Sequence, residues 1–168
     1  GSSFRLEDST VVNPARVDCL CVGSDNFTVV RSEIRGAYRE IYCRRNCVVT
    51  DTWVHGQQLL TGQHSSGIRQ EQGSQVTHST LSCDWAFPND TTDTGCSADL
   101  GGYPDFAPIT HNTYRRDLFV GASRDPNGTN PTGPGATTGF CSYGGATAGK
   151  PYSADPTNAT FEVFDSNV

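Results

Sequence analysis

The chain has 168 residues and a formal net charge of −6; 35% of it is apolar, with 18 glycines and 9 prolines. One domain with a buried core is expected at this length, and the glycine content points to a loop-rich fold. The negative charge argues against a general polyanion binder. No apolar run approaches the ~20 residues of a spanning helix, so no membrane span is expected.

Gly1-Ser2-Ser3 has the look of a cloning remnant with no signal peptide before it, and a mature form is expected. Residues 1–16 read as an extended N-terminal segment of a single domain covering 1–168. Residues 17–22 alternate in strand fashion, and Gly23-Ser24-Asp25-Asn26 has turn chemistry. Ser32 then offers an N-cap hydroxyl, with Glu33 placed for the helix dipole. Ile34, Ala37, Tyr38, Ile41 and Tyr42 follow at i, i+3, i+4, i+7 and i+8, the apolar face of an amphipathic helix. Arg31, Arg35, Arg39, Arg44 and Arg45 would form its solvated face; their functional alternative is a patch for nucleic acid or a membrane surface.

Beyond the helix the elements are short. Residues 48–54 read as extended, 55–75 as a polar loop, 76–88 as strand and turn, and 89–102 as loop. YPDFAPI (103–109) and TYRRDLFVGA (113–122) have strand composition, residues 123–139 form a Pro/Gly/Asn loop, and GFCSYGG and ATFEVFD supply two last strands. One helix followed by several short strands predicts an α+β fold, with that helix packed on a twisted antiparallel β-sheet. No internal repeat and no second domain is evident.

Seven cysteines (Cys19, Cys21, Cys43, Cys47, Cys83, Cys96 and Cys141) accompany glycosylation sequons at Asn26, Asn89, Asn127 and Asn158; one at Asn130 is blocked by Pro131. Together they favour a eukaryotic secretory route, so a secreted, disulfide-bonded glycoprotein is expected. The odd count leaves one thiol free or pairs it with another chain, and the connectivity stays open.

No C-x2-C pair supports zinc, and neither metal nor cofactor is expected. The P-loop pattern G-x4-G-K-[ST] and the G-x-S-x-G elbow are both absent. Of the histidines His55, His64, His78 and His111, His78 stands in an expected strand, ahead of Asp105, Arg115 and Arg116. A histidine, a carboxylate and a guanidinium on neighbouring strands can form a phosphoryl-transfer site.

The order of these pieces resembles the microbial ribonuclease family, the small guanyl-specific fungal ribonucleases. Cys21, GSDNFT, SEIRGAY and Cys43 run in that family's order, followed by VTH (76–78), STLSCDWAFP, YPDFAPI, YRRDLFV, TTGFCSYGGAT and ATFEVF. The resemblance implies His78 as catalytic histidine, Asp105 in the place of the catalytic glutamate and Arg116 or Arg115 as catalytic arginine. It implies Asp84, with Trp85 beside it, in guanine binding. The family's second histidine falls on Tyr143, whose ordinary pKa of about 10 makes it a poor acid beside histidine at about 6.5. His111, within PITHNTY, imitates the family's I-T-H motif and could supply the acid from a loop.

Weak or absent ribonuclease activity is therefore expected. The resemblance implies a secreted ribonuclease-like fungal effector with a degenerate site, a virulence factor that binds a host protein or RNA. A plant immune receptor would be a partner, and the host apoplast or host cell a destination. A monomer is expected. The alternatives are an active guanyl-preferring endoribonuclease forming a 2′,3′-cyclic phosphate, and a secreted β-rich structural or carbohydrate-binding domain. For the last, Trp53, Trp85 and Tyr103 are the candidate sugar platforms.

Overall fold

Leu6, Val29, Val49, Val76, Tyr114 and Phe164 occupy one register position in successive parallel strands. Two residues after each stands Asp8, Arg31, Asp51, His78, Arg116 or Ser166, all with φ between 46° and 57°. That left-handed conformation is uncommon for residues other than glycine, and at the first five of these positions it turns the chain out of one sheet and into the next. The computed structural model describes residues 3–13, 20–60, 62–84, 95–120, 138–142 and 162–168. In it the chain coils as a three-sided solenoid.

The first coil is β1 (Phe4–Glu7), β2 (Thr10–Val12) and β3 (Leu20–Asp25). The second is β4 (Phe27–Val30), β5 (Glu33–Arg35) and β6 (Arg39–Arg45), and the third β7 (Val48–Thr50), β8 (Trp53–His55) and β9 (His64–Gln72). The fourth is β10 (Gln75–Thr77), β11 (Thr80–Leu81) and β12 (Gly95–Gly102), the fifth β13 (Thr113–Arg115), β14 (Leu118–Phe119) and β15 (Thr138–Ser142), and β16 (Val163–Asp165) opens a sixth. Every third strand pairs in parallel. Sheet A runs β1-β4-β7-β10-β13-β16, sheet B β2-β5-β8-β11-β14 and sheet C β3-β6-β9-β12-β15.

The core is a stack of like side chains from successive coils. Sheet B points Val11, Ile34, Val54, Leu81 and Phe119 inward in register, and sheet C contributes Val22, Ile41, Ile68, Leu100 and Phe140. Each fully buried side chain of this size stabilises by ~1.5–3 kcal/mol. Because a coil cannot close its own apolar face, this burial comes from its neighbours.

The corner between sheets A and B is held by a ladder of short polar side chains. Ser32, Thr52, Ser79 and Asp117 follow the left-handed residues and are all buried. The hydroxyls of Ser32, Thr52 and Ser79 donate to the carbonyls of Val30, Thr50 and Thr77 at 2.8, 2.9 and 3.1 Å. Across coils, Thr52 N donates to Ser79 Oγ at 3.2 Å, and Ser79 N and Asp117 N donate to Asp117 Oδ1 and Asn167 Oδ1 at 2.9 Å. The kink takes these amides out of the strand ladder, and the side chains of the next coil replace their partners. Ser79→Ala is expected to cost ~1–2 kcal/mol in urea unfolding, since it orphans the buried Thr52 amide. A loss below ~0.3 kcal/mol would show that the ladder does not carry the corner.

Several expectations are corrected here. Among the described residues there is no helix, and all three sheets are parallel, so the α+β arrangement of a helix on an antiparallel sheet is not what this chain forms. The segment expected as that helix is split: Ile34 lies in β5, Ile41 in β6, and Gly36 between them has φ +93°. An internal repeat is present, but its register positions are separated by 23, 20, 27, 38 and 50 residues, so no fixed period displays it. Residues 95–102 form β12 rather than loop, and 64–72, inside the expected polar loop, form β9, the longest strand among those described. YPDFAPI is not a strand; Phe106 N from this segment donates to Glu71 of β9, which is fully buried.

Disulfides are present, joining Cys43 to Cys47 and Cys83 to Cys96. The Cys21 thiol is directed at the Arg35 carbonyl, 3.7 Å away. Cys19 lies outside the described residues. No helix is long and apolar enough to cross a membrane among the described residues.

Candidate functional site

Alternation along β5 and β8 turns Ile34 and Val54 inward, so Glu33, Arg35, Trp53 and His55 stand on the outer face of sheet B. Glu33 is in register with Trp53, and Arg35 with His55, forming two adjacent columns. The Trp53 indole is half exposed and stacks on the His55 ring, with centroids 3.6 Å apart and planes 14° apart. His55 Nε2 lies 2.9 Å from Glu33 Oε1. That hydrogen bond is the main cause holding the Glu33 carboxyl below its ordinary range. The indole is therefore braced by a histidine that is itself braced by a carboxylate on the preceding coil.

Beside this platform runs the charged corner column. Arg31 Nε meets Asp8 Oδ1 at 2.7 Å, its Nη2 meets Asp8 Oδ2 at 2.8 Å, and it also contacts Glu7. One coil further, His78 Nδ1 lies 2.5 Å from Asp51 Oδ1. Asp8, Thr10, Arg31, Glu33, Asp51 and Trp53 border an open groove of about 530 Å³. An apolar ring face beside carboxylates and a guanidinium offers stacking together with hydrogen-bond acceptors and donors.

A second cavity, of about 470 Å³, lies on sheet C between Tyr38, Arg39, His64, Ser66, Arg69 and Tyr103. The Arg69 guanidinium stands 5.3 Å from the Tyr42 ring centroid and 5.0 Å from that of Tyr103, and its Nη2 pairs with Asp105. Glu71 and Tyr42 lie beneath the 103–109 segment. The Tyr42 hydroxyl donates to Glu71 Oε1 at 2.7 Å, and burial pushes the Glu71 carboxyl above its ordinary range.

The residues expected as a phosphoryl-transfer set divide between these regions. His78 and Arg116 occupy successive positions of the corner column, and Arg115, one residue before the corner, lies 3.7 Å from Asp165. Asp105 is bound to Arg69 beside sheet C. Asp84 accepts from the Gly56 amide at 2.5 Å. Tyr143 and Trp85 lie outside the described residues. His111 has φ 57°, and its Nδ1 lies 2.9 Å from the Thr110 hydroxyl.

Sequence reasoning named Trp53 and Tyr103 as sugar platforms, and each borders one of the two cavities. It missed Glu33 and His55 as the supports of Trp53, and Arg39, Ser66 and Arg69 around Tyr103. Aligning the repeat by its buried positions would have placed Glu33 beside Trp53. Among the described residues no three His, Cys, Asp or Glu side chains are grouped to hold a metal ion. No protein-family model, curated protein or solved structure matches the chain.

Proposed function

We propose that this is a secreted, disulfide-stapled β-solenoid that binds polysaccharide along the outer face of sheet B. The observation that carries the reading is the half-exposed Trp53 indole, stacked on His55 and flanked by Glu33, with Asp51 across the groove. The C–H face of a pyranose packs on an aromatic ring, while its equatorial hydroxyls donate to carboxylates at the ring edge. A solenoid suits an extended ligand because successive coils repeat one surface along the axis. The two disulfides are compatible with an extracellular setting. The ribonuclease-like effector reading depends on a helix packed against an antiparallel sheet, so the carbohydrate-binding alternative has the stronger support.

Binding to soluble β-glucan, xylan and mannan, measured by affinity electrophoresis and calorimetry, tests the reading. At least one should bind, and Trp53→Ala should weaken it about 10-fold or more, as removing an aromatic anchor does. Absence of binding to all three, or unchanged affinity of the variant, would overturn the proposal.

A further inference from the structure

Resting on the secreted setting proposed above, though not on the polysaccharide groove, we infer that Asn26 is an N-glycosylation site whose glycan stands on the corner between sheets C and A. Asn26-Phe27-Thr28 is an acceptor sequon. The fold leaves Asn26 and Thr28 partly exposed on either side of Phe27, which is buried and stacks on Phe4. Asn89, Asn127 and Asn158 lie outside the described residues.

Asn26, Asn46, Gly73 and His111 succeed one another on this corner, with φ of 54°, 53°, 68° and 57°. The amides of Asn26, Asn46 and Gly73 donate to the carbonyls of Arg45, Gln72 and Thr110 on the following coil. The left-handed turn accounts for an asparagine at position 26. It does not account for Thr28. The positions in register with Thr28 hold Arg5, Val48, Gln75, Thr113 and Val163, so the strand ladder requires no hydroxyl there. Asn46 makes the same turn but is followed two residues later by Val48, and so is no acceptor.

The chemistry at the side-chain amide fits as well. Asn26 Oδ1 accepts from Asn46 Nδ2 at 3.2 Å in an exposed bond, and Asn26 Nδ2 donates to none of the described residues. When a glycan is transferred from a lipid diphosphate, the sugar's C1–O bond breaks, an Nδ2–C1 bond forms and Nδ2 gives up one proton. Oδ1 is not consumed, so the bond from Asn46 and the turn both persist. The groove of sheet B lies at the other end of the sheet A strands, beside Asp8, Arg31 and Asp51, and the glycan leaves it open.

The full chain behind a cleavable secretion signal, carrying Asn89→Gln, Asn127→Gln and Asn158→Gln, tests the inference by translation into microsomes and by expression in secreting eukaryotic cells. In both, most signal-cleaved chains should carry a single glycan that peptide N-glycosidase removes. Release in heavy-oxygen water should label residue 26 and leave Asn46 unlabelled in mass spectra. Thr28→Ala and Asn26→Gln should each abolish the glycan, and Thr28→Ser should retain it. The secreted glycoprotein should melt cooperatively with the glycan in place. Transfer in microsomes does not wait on folding, so signal-cleaved chains left unmodified there would overturn the site. Modified chains retained in the cell while Asn26→Gln is secreted would overturn its place on the folded corner. Failure to bind any of the polysaccharides would leave a labelled Asn26 standing, and an unlabelled Asn26 would leave the Trp53 test standing.

Discussion

Gly36→Ala is expected to destabilise the protein by about 3 kcal/mol, lowering Tm by roughly 6–12 °C for a chain of this size. Gly36 has φ +93°, and a Cβ built on it would lie 2.3 Å from the Asn13 carbonyl oxygen, a backbone atom of the preceding coil. A positive φ costs a residue with a Cβ ~1–2 kcal/mol, and relieving a backbone contact costs a further ~1–3 kcal/mol. Gly62→Ala separates the two contributions. Gly62 has φ +79° but nothing within 4 Å of its Cβ position, so that change should cost only ~1–2 kcal/mol. The sign also discriminates between folds. Inside an amphipathic helix over residues 32–42, replacing glycine by alanine would stabilise by up to ~1 kcal/mol. Thermal and urea unfolding of both variants reads the difference directly, and a stabilised Gly36→Ala would sink the solenoid corner.

The helix pattern misled for a physical reason. Ile34, Ala37 and Ile41 are all buried, spaced by three and four residues, as on one face of a helix. A three-sided coil produces the same spacing. Ile34 points inward from β5, the chain turns at Gly36, Ala37 is buried just past the turn, and Ile41 points inward from β6. Tyr38 and Tyr42, which would complete the helical stripe, take other places. Tyr38 lines the sheet C cavity and Tyr42 lies against Glu71. Gly36 was the local signal against the helix, because glycine disfavours a helix interior and tolerates the left-handed turn.

Other strands were legible only as runs. VTHSTLSC and TYRRDLFV each hold two short strands in different sheets, divided at His78-Ser79 and at Arg116-Asp117. In both, the polar pair that divides them is a left-handed residue followed by a member of the buried ladder. β9 hid because its burial is not written in apolar residues: Gln70 and Glu71 are fully buried there. Glu71 is covered by the 103–109 segment, a tertiary contact that no window of sequence displays. The candidate surface was legible in the same partial way. Trp53 and Tyr103 are visible as exposed-aromatic candidates, but Glu33 beside Trp53 and Arg69 beside Tyr103 come from neighbouring coils 20 or more residues away in the chain.

Stability is expected to fall as pH rises from about 4.5 to 7, a trend set by buried carboxyls rather than by surface pairs. Glu40 is fully buried; its two carboxyl oxygens accept from the Ala37 amide at 3.1 and 3.3 Å, and the Cys21 side chain and the Gly36 amide nearby also favour its charged form. Burial outweighs these donors and pushes its pKa up to about 7. Asp117, whose Oδ2 has no hydrogen-bond partner, is pushed up to about 6, again chiefly by burial. Below the ordinary carboxylate range both folded and unfolded chains hold these protons, and there is no penalty. Between that range and the raised values only the folded chain holds them, so each step up in pH favours unfolding. Above about pH 7 both states are ionised and the full cost is present, on the order of 3 kcal/mol for Glu40 at ~1.4 kcal/mol per unit. Glu7, Asp8 and Asp25, held low by arginine partners, and Glu33, held low mainly by His55, lose their contributions only below the ordinary carboxylate range. They do not mask the trend. Glu40→Gln keeps an acceptor for Ala37 N but cannot ionise, so it should match the parent near pH 4.5 and exceed it at pH 8. Asp117→Asn should remove a further part of the slope while retaining an acceptor for Ser79 N. Urea unfolding at pH 4.5, 6 and 8 measures both, and a Glu40→Gln protein with the parent's full pH slope would show that Glu40 already ionises near its ordinary value in the fold.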